Sequence, residues 1–144
     1  MKTLSFETGV VTFRVNDTAE ISFNPTDASF AERLYSAFDS LDKRQEAYRE
    51  ETTRAADDGR KIFELGRIQD TEMRKLIDSV FEQPVCSAIF GGMNVYALAG
   101  GLPVWCNFLL AVIEEMDSTF AREQKATNPR IAKYMAKYKA KKSK

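Results

Sequence analysis

Three kinds of residue in this chain have types that do chemistry elsewhere: two cysteines, adjacent carboxylates and two pairs of glycines. Cys86 and Cys106 stand alone, neither in a CxxC pair, and the chain has no histidine. A thiolate nucleophile needs an activating base, and a zinc site needs a full set of nitrogen and sulfur ligands. Two lone thiols without an imidazole offer neither. They read as reduced thiols, buried or half-buried, with a disulfide between them as the alternative. Paired carboxylates occur at Asp57-Asp58 and at Glu114-Glu115. Neighbours on a helix point about 100° apart, so neither pair converges on one atom. The glycine pairs, Gly91-Gly92 and Gly100-Gly101, lack a following Gly-Lys-Ser/Thr and do not form GxGxxG, so they read as turns at element ends and not as phosphate cradles. The expectation is a non-enzymatic chain with no catalytic residue, no metal ligand and no cofactor.

The elements that must position these residues follow from the patterning. At 144 residues and 44% apolar composition, one domain with a real core is expected. In VTFRV, Val11, Phe13 and Val15 share one face, and in AEISF, Ile21 and Phe23 do. This period of two marks strands, with Asn16-Asp17 as the turn. Leu4 and Phe6 are candidates for a third strand, turning at Thr8-Gly9. Such a unit needs a helix against its apolar face.

Pro25 ends the strands, and Thr26, Asp27 or a Ser29–Glu32 capping box starts a helix. Its stripe is Phe30, Leu34, Ala37, Phe38, Leu41 and Tyr48. Asp57-Asp58-Gly59 is expected to break or bend it, and a second segment from Lys61 is expected to stop at Gly66. Asp70-Thr71 then opens another helix, with Met73, Leu76, Ile77, Val80 and Phe81 on one face and Pro84 as its end. A short helix is expected near Asn94 to Leu98. Pro103 suits the first turn of the last helix, whose stripe is Trp105, Phe108, Leu109, Val112, Ile113, Met116 and Phe120. The fold class expected is α+β, mainly α: an antiparallel hairpin or meander packed on a helical bundle, with a basic C-terminal tail. Residues 1–127 form the globular domain (1–25 the β-unit, 26–127 helical), and 128–144 the tail.

Two features point outward. Nothing charged occurs between Gln83 and Glu114, and so long an uncharged stretch must be core or interface. Met93, Val95, Tyr96, Leu98, Trp105 and Phe108 are its candidates for a partner-binding surface, with plain core as the competing reading. The second feature is charge. From Arg122 to Lys144 there are nine bases and one acid, while the rest of the chain holds twelve bases against twenty acids. Lys133, Tyr134, Lys137 and Tyr138 mark the basic tail, which reads as a solvated end, a contact for an acidic protein, or a site for nucleic acid or membrane. An acidic body repels phosphate, which argues against nucleic acid as the main partner. Neither a continuous apolar leader nor a membrane-spanning stretch is visible, so a cytoplasmic location is expected.

The helix MRKLIDSVFEQ (73–83), the segment IFGGMNVYALAGGLPVWCNFLLAVIEE (89–115) and the end NPRIAKYMAKYKAKK (128–142) together resemble small proteins from the tail-gene clusters of long-tailed phages and prophages of Gram-positive bacteria. The resemblance spans Glu72 to Lys142, about half the chain. It implies a tail assembly chaperone: a homo-oligomer that coats the tape measure protein, or other tail proteins, until the tail tube forms. The insert GGMNVYALAGGLPVW departs from the shorter members of that class. A structural tail or connector component of the virion, and a nucleic-acid-binding accessory protein acting through the basic tail, are the rival expectations.

Overall fold

The computed structural model describes residues 1–125 and residue 136. Lys133, Tyr134, Lys137 and Tyr138 of the expected basic tail therefore lie outside the described residues. The chain is α+β and mainly helical. Strands β1 (Val11–Val15) and β2 (Ala19–Phe23) are followed by helices α1 (Ala28–Arg54), α2 (Gly59–Phe81) and α3 (Val85–Phe90). A second, minimal hairpin of β3 (Leu98–Ala99) and β4 (Leu102–Pro103) leads into α4 (Val104–Lys125).

The first hairpin is antiparallel, with Phe13 opposite Ile21 and Val11 opposite Phe23. Asn16 and Asp17 turn it with φ of 48° and 57°, a left-handed conformation that Asn and Asp tolerate better than other side chains. Thr18 N–H donates to the Val15 carbonyl at 3.0 Å and closes the turn. No third strand forms. Gly9 turns the chain at φ +78°, and Asn24 Nδ2 donates to the Thr8 carbonyl at 2.8 Å. Leu4 and Phe6 stay exposed, so within one chain no apolar contact offsets the entropy of ordering them.

Asp27 caps α1, its carboxylate accepting from Ser29 N–H at 2.9 Å. Asp58 caps α2 in the same way through Lys61 N–H at 3.3 Å. The break expected at Asp57-Asp58-Gly59 is thus a reversal between two long helices. The stop expected at Gly66 does not occur, because α2 runs through it to Phe81. An interior glycine costs only about 1 kcal/mol against alanine, less than the packing of the flanking stripe supplies. The helix ends at Glu82, held left-handed at φ 55°, just ahead of Pro84. The short helix expected at 94–98 is instead α3, at 85–90, where Val85 and Cys86 are buried. Residues 94–97 make a turn, with Ala97 N–H donating to the Asn94 carbonyl at 2.9 Å.

One apolar cluster unites these elements. It takes Ile21 and Phe23 from β2, Leu34 from α1, Ile77 from α2, Cys86 from α3 and Leu109 from α4. An aromatic chain threads it. Phe13 stacks on Phe23 (4.7 Å between centroids), Phe23 on Phe30 (4.9 Å), Phe30 meets Phe81 edge-on (5.2 Å), and Phe81 stacks on Phe108 (5.6 Å). Each ring comes from a different element or strand. These offset and edge-on contacts are therefore what fix the hairpin on the helices.

Candidate functional site

The uncharged stretch is held in place by a polar stripe on α2. Gly66, Asp70, Arg74 and Asp78 recur every four residues, so they lie along one face of the helix. Each meets a main-chain or side-chain group of residues 86–95. The Gly66 carbonyl accepts from Asn94 Nδ2 at 3.2 Å. Asp70 Oδ1 accepts from Val95 N–H at 2.7 Å. Arg74 is ion-paired to Asp70 at 3.1 Å and donates to the carbonyls of Gly91 (2.8 Å) and Met93 (2.6 Å). Asp78 Oδ1 accepts from Cys86 N–H at 2.9 Å. An irregular segment exposes orphan backbone groups that must find partners, and here α2 supplies them. Asn94 adds a local turn, its Oδ1 accepting from Tyr96 N–H at 2.9 Å.

Beyond this clip the chain folds into the second hairpin. Gly100 and Gly101, at φ +62° and +84°, form its two-residue tip, the backbone that glycine provides without strain. Asn107 Nδ2 donates to the Ala99 carbonyl at 2.9 Å and ties this hairpin to α4. Gly91, at φ +56°, closes α3. Both glycine pairs therefore sit at turns.

The result is an open groove of about 370 Å³ between the first hairpin, α3, the second hairpin and α4. Val15, Ile89, Phe90, Met93, Ala99 and Ala111 line it, with Asn16 and Asn107 the side-chain amides in its lining. No lining residue carries a charge. A second cleft of about 220 Å³ adjoins it, sharing Val15, Asn16, Phe108 and Ala111 and extending to Phe13, Val112 and Glu115.

The six candidates from the uncharged stretch separate. Met93 is 52% exposed and lines the groove, and Leu98 is 74% exposed at the second hairpin. Phe108 is buried but lends its ring to both clefts. Val95 and Trp105 are core residues and form no surface. They are also bonded to each other, Trp105 N–H donating to the Val95 carbonyl at 3.1 Å. Burial of an apolar side chain is favourable by its area, and Asp70 pulls the backbone at Val95 inward, so both side chains are turned from solvent. Tyr96 is half-buried, 6.3 Å from Tyr48 and 6.1 Å from Trp105 between ring centroids. It faces a separate cleft of about 190 Å³ between α1 and α2, and burial pushes its phenol up to about 12. The groove residues missed in the sequence are Ile89, Phe90, Ala99, Asn107 and Ala111. Their signal was the α2 stripe, whose alternating charges face an uncharged segment and not solvent.

Cys86 and Cys106 are both free thiols. Burial, with the Asp78 carboxylate beside it, pushes the Cys86 thiol well up, and burial raises Cys106 as well. Both are held in the protonated form, the opposite of what a nucleophile needs. Among the described residues no group of three or more acids and thiols is placed to hold a metal ion. Among them too, no helix is long and apolar enough to cross a membrane. Comparison of the chain with protein-family models, with curated proteins and with solved structures found no match.

Proposed function

We propose that this protein is a non-catalytic assembly chaperone acting in the host bacterial cytoplasm, of the kind the sequence resembles in phage tail-gene clusters. Its client is a long amphipathic helix, as in a tape measure protein, which it keeps from aggregating until the tail is built. The observation that carries this reading is the uncharged groove beside Met93. An amphipathic helix seats apolar side chains at successive turns into such a surface and leaves its polar face in water. The rim amides of Asn16 and Asn107 orient a guest without demanding a charged one. The α2 clip supports the reading too, because a docking surface built from irregular chain works only if that chain is pre-organised. The test is co-expression with a tape measure protein from a phage tail-gene cluster. The expected result is a soluble complex that survives purification. A client that stays insoluble in the presence of a folded, abundant partner overturns the proposal.

A further inference from the structure

The segment before β1 has the pattern of a strand and, among the described residues, no strand to pair with. Leu4 and Phe6 share one face, while Ser5 and Glu7 alternate on the other. Leu4 is 93% and Phe6 82% exposed. The base of this arm is fixed: Asn24 Nδ2 grips the Thr8 carbonyl at 2.8 Å. Gly9 lies at φ +78°, and a Cβ there would come within 2.8 Å of the same Asn24 amide. The arm therefore leaves the body in a set direction, with its apolar face uncovered.

The body carries the matching half. Among the described residues β1 has only β2 as a neighbour, so its outer edge is open there. β2 is the inner strand, since Ile21 and Phe23 are buried and the Ser22 carbonyl accepts from Gln83 Nε2 at 2.7 Å. On the open side, Val11 is exposed and Phe13 and Val15 are half-buried. Phe13 and Val15 flank the 220 Å³ cleft that runs against Val112 and Glu115 of α4. An unpaired edge with an apolar cleft beneath it is a template for an added strand.

We infer that residues 2–8 of one copy add as an antiparallel strand to the β1 edge of a second copy, reciprocally, so that the protein is a strand-exchanged dimer. The pairing places Phe6 opposite Phe13 and Leu4 opposite Val15, filling the cleft. It also puts Glu7 diagonal to Arg14, and among the described residues neither of these charges has an ion-pair partner. Seven extended residues span about 23 Å, more than the about 17 Å of a five-residue strand, so the arm covers the whole edge. Because arm and edge belong to the same chain, the exchange closes on itself as a two-fold dimer and leaves no free end to propagate. It uses the Phe13–Glu115 end of the surface and leaves the Met93 end open. It stands whether or not a helical client binds there.

The experiment is solution mass by light scattering on the full chain without any client, joined to cross-linking. The expected mass is twice the 16.3 kDa of one chain, falling to one chain on deletion of residues 2–8 and in the double variant Leu4→Asp/Phe6→Asp, with helical circular dichroism unchanged. In a Cys106→Ser background, an equimolar mixture of Phe6→Cys and Phe13→Cys chains is expected to oxidise to a mixed disulfide dimer. A monomeric wild type overturns the inference. So does a dimer that survives the deletion, or a mixture in which Phe6→Cys and Phe13→Cys chains do not cross-link. None of these outcomes bears on client solubility, which is measured separately.

Discussion

Two sets of residues interleaved along the uncharged stretch meet opposite fates. Val85, Cys86, Val95, Trp105 and Leu109 are buried among the helices, whereas Met93, Leu98, Leu102 and Leu110 remain exposed. Composition does not separate the groups, since both are apolar and lie within the same thirty residues. At the clip, what differs is which backbone group α2 takes. Asp78 fixes Cys86 and Asp70 fixes Val95, each through a main-chain N–H, and their side chains fall inward. Met93 is fixed through its carbonyl by Arg74, and its side chain falls outward. Lack of charge thus marks a segment as core or interface without saying which. The partner of each backbone group decides.

The comparison can be broken most sharply at Trp105. Truncation to alanine in the buried set is expected to cost about 3–5 kcal/mol in a denaturant unfolding series. A loss under about 1 kcal/mol would place Trp105 at the surface after all. Next comes the clip. Asp70→Ala leaves the Val95 N–H without its acceptor and Arg74 without its counter-charge, and is expected to cost about 1–3 kcal/mol. Hydrogen exchange should then show faster exchange at residues 91–95 than in α1. Uniform exchange across both would mean that α2 does not hold the segment. The smallest effect is expected at Leu98, where alanine should move stability by no more than about 0.5 kcal/mol. A larger loss would put Leu98 with the buried group.

Much of the fold was legible in the sequence. The alternation at Val11–Val15 and Ala19–Phe23, the Asn16-Asp17 turn, the Asp27 cap and the stripe of α4 as far as Met116 each form as local propensity and period dictate, whereas Phe120, expected on that stripe, is exposed. Where reading failed, non-local contacts had overridden local signals. Gly66 looks like a stop in isolation, yet the helix on either side of it is held by packing. Asn94 to Leu98 has helical residue types, but Asp70 takes the Val95 N–H and the Trp105 N–H takes the Val95 carbonyl. The third strand expected from Leu4 and Phe6 does not form, because among the described residues no neighbouring strand covers its alternating face. The groove was half legible. Met93 and Phe108 belong to it, while Val95 and Trp105 belong to the core, because alternation cannot be assigned to faces in a segment without regular structure.

The measurement that tests the central claim most directly is the co-expression assay repeated with Met93→Glu. This places a charge in the uncharged groove, at an exposed residue whose side chain supports no core contact. The account predicts that the variant folds with unchanged stability and leaves the helical client insoluble. A variant that keeps the client as soluble as the wild type does would contradict it, and would move client binding away from this groove.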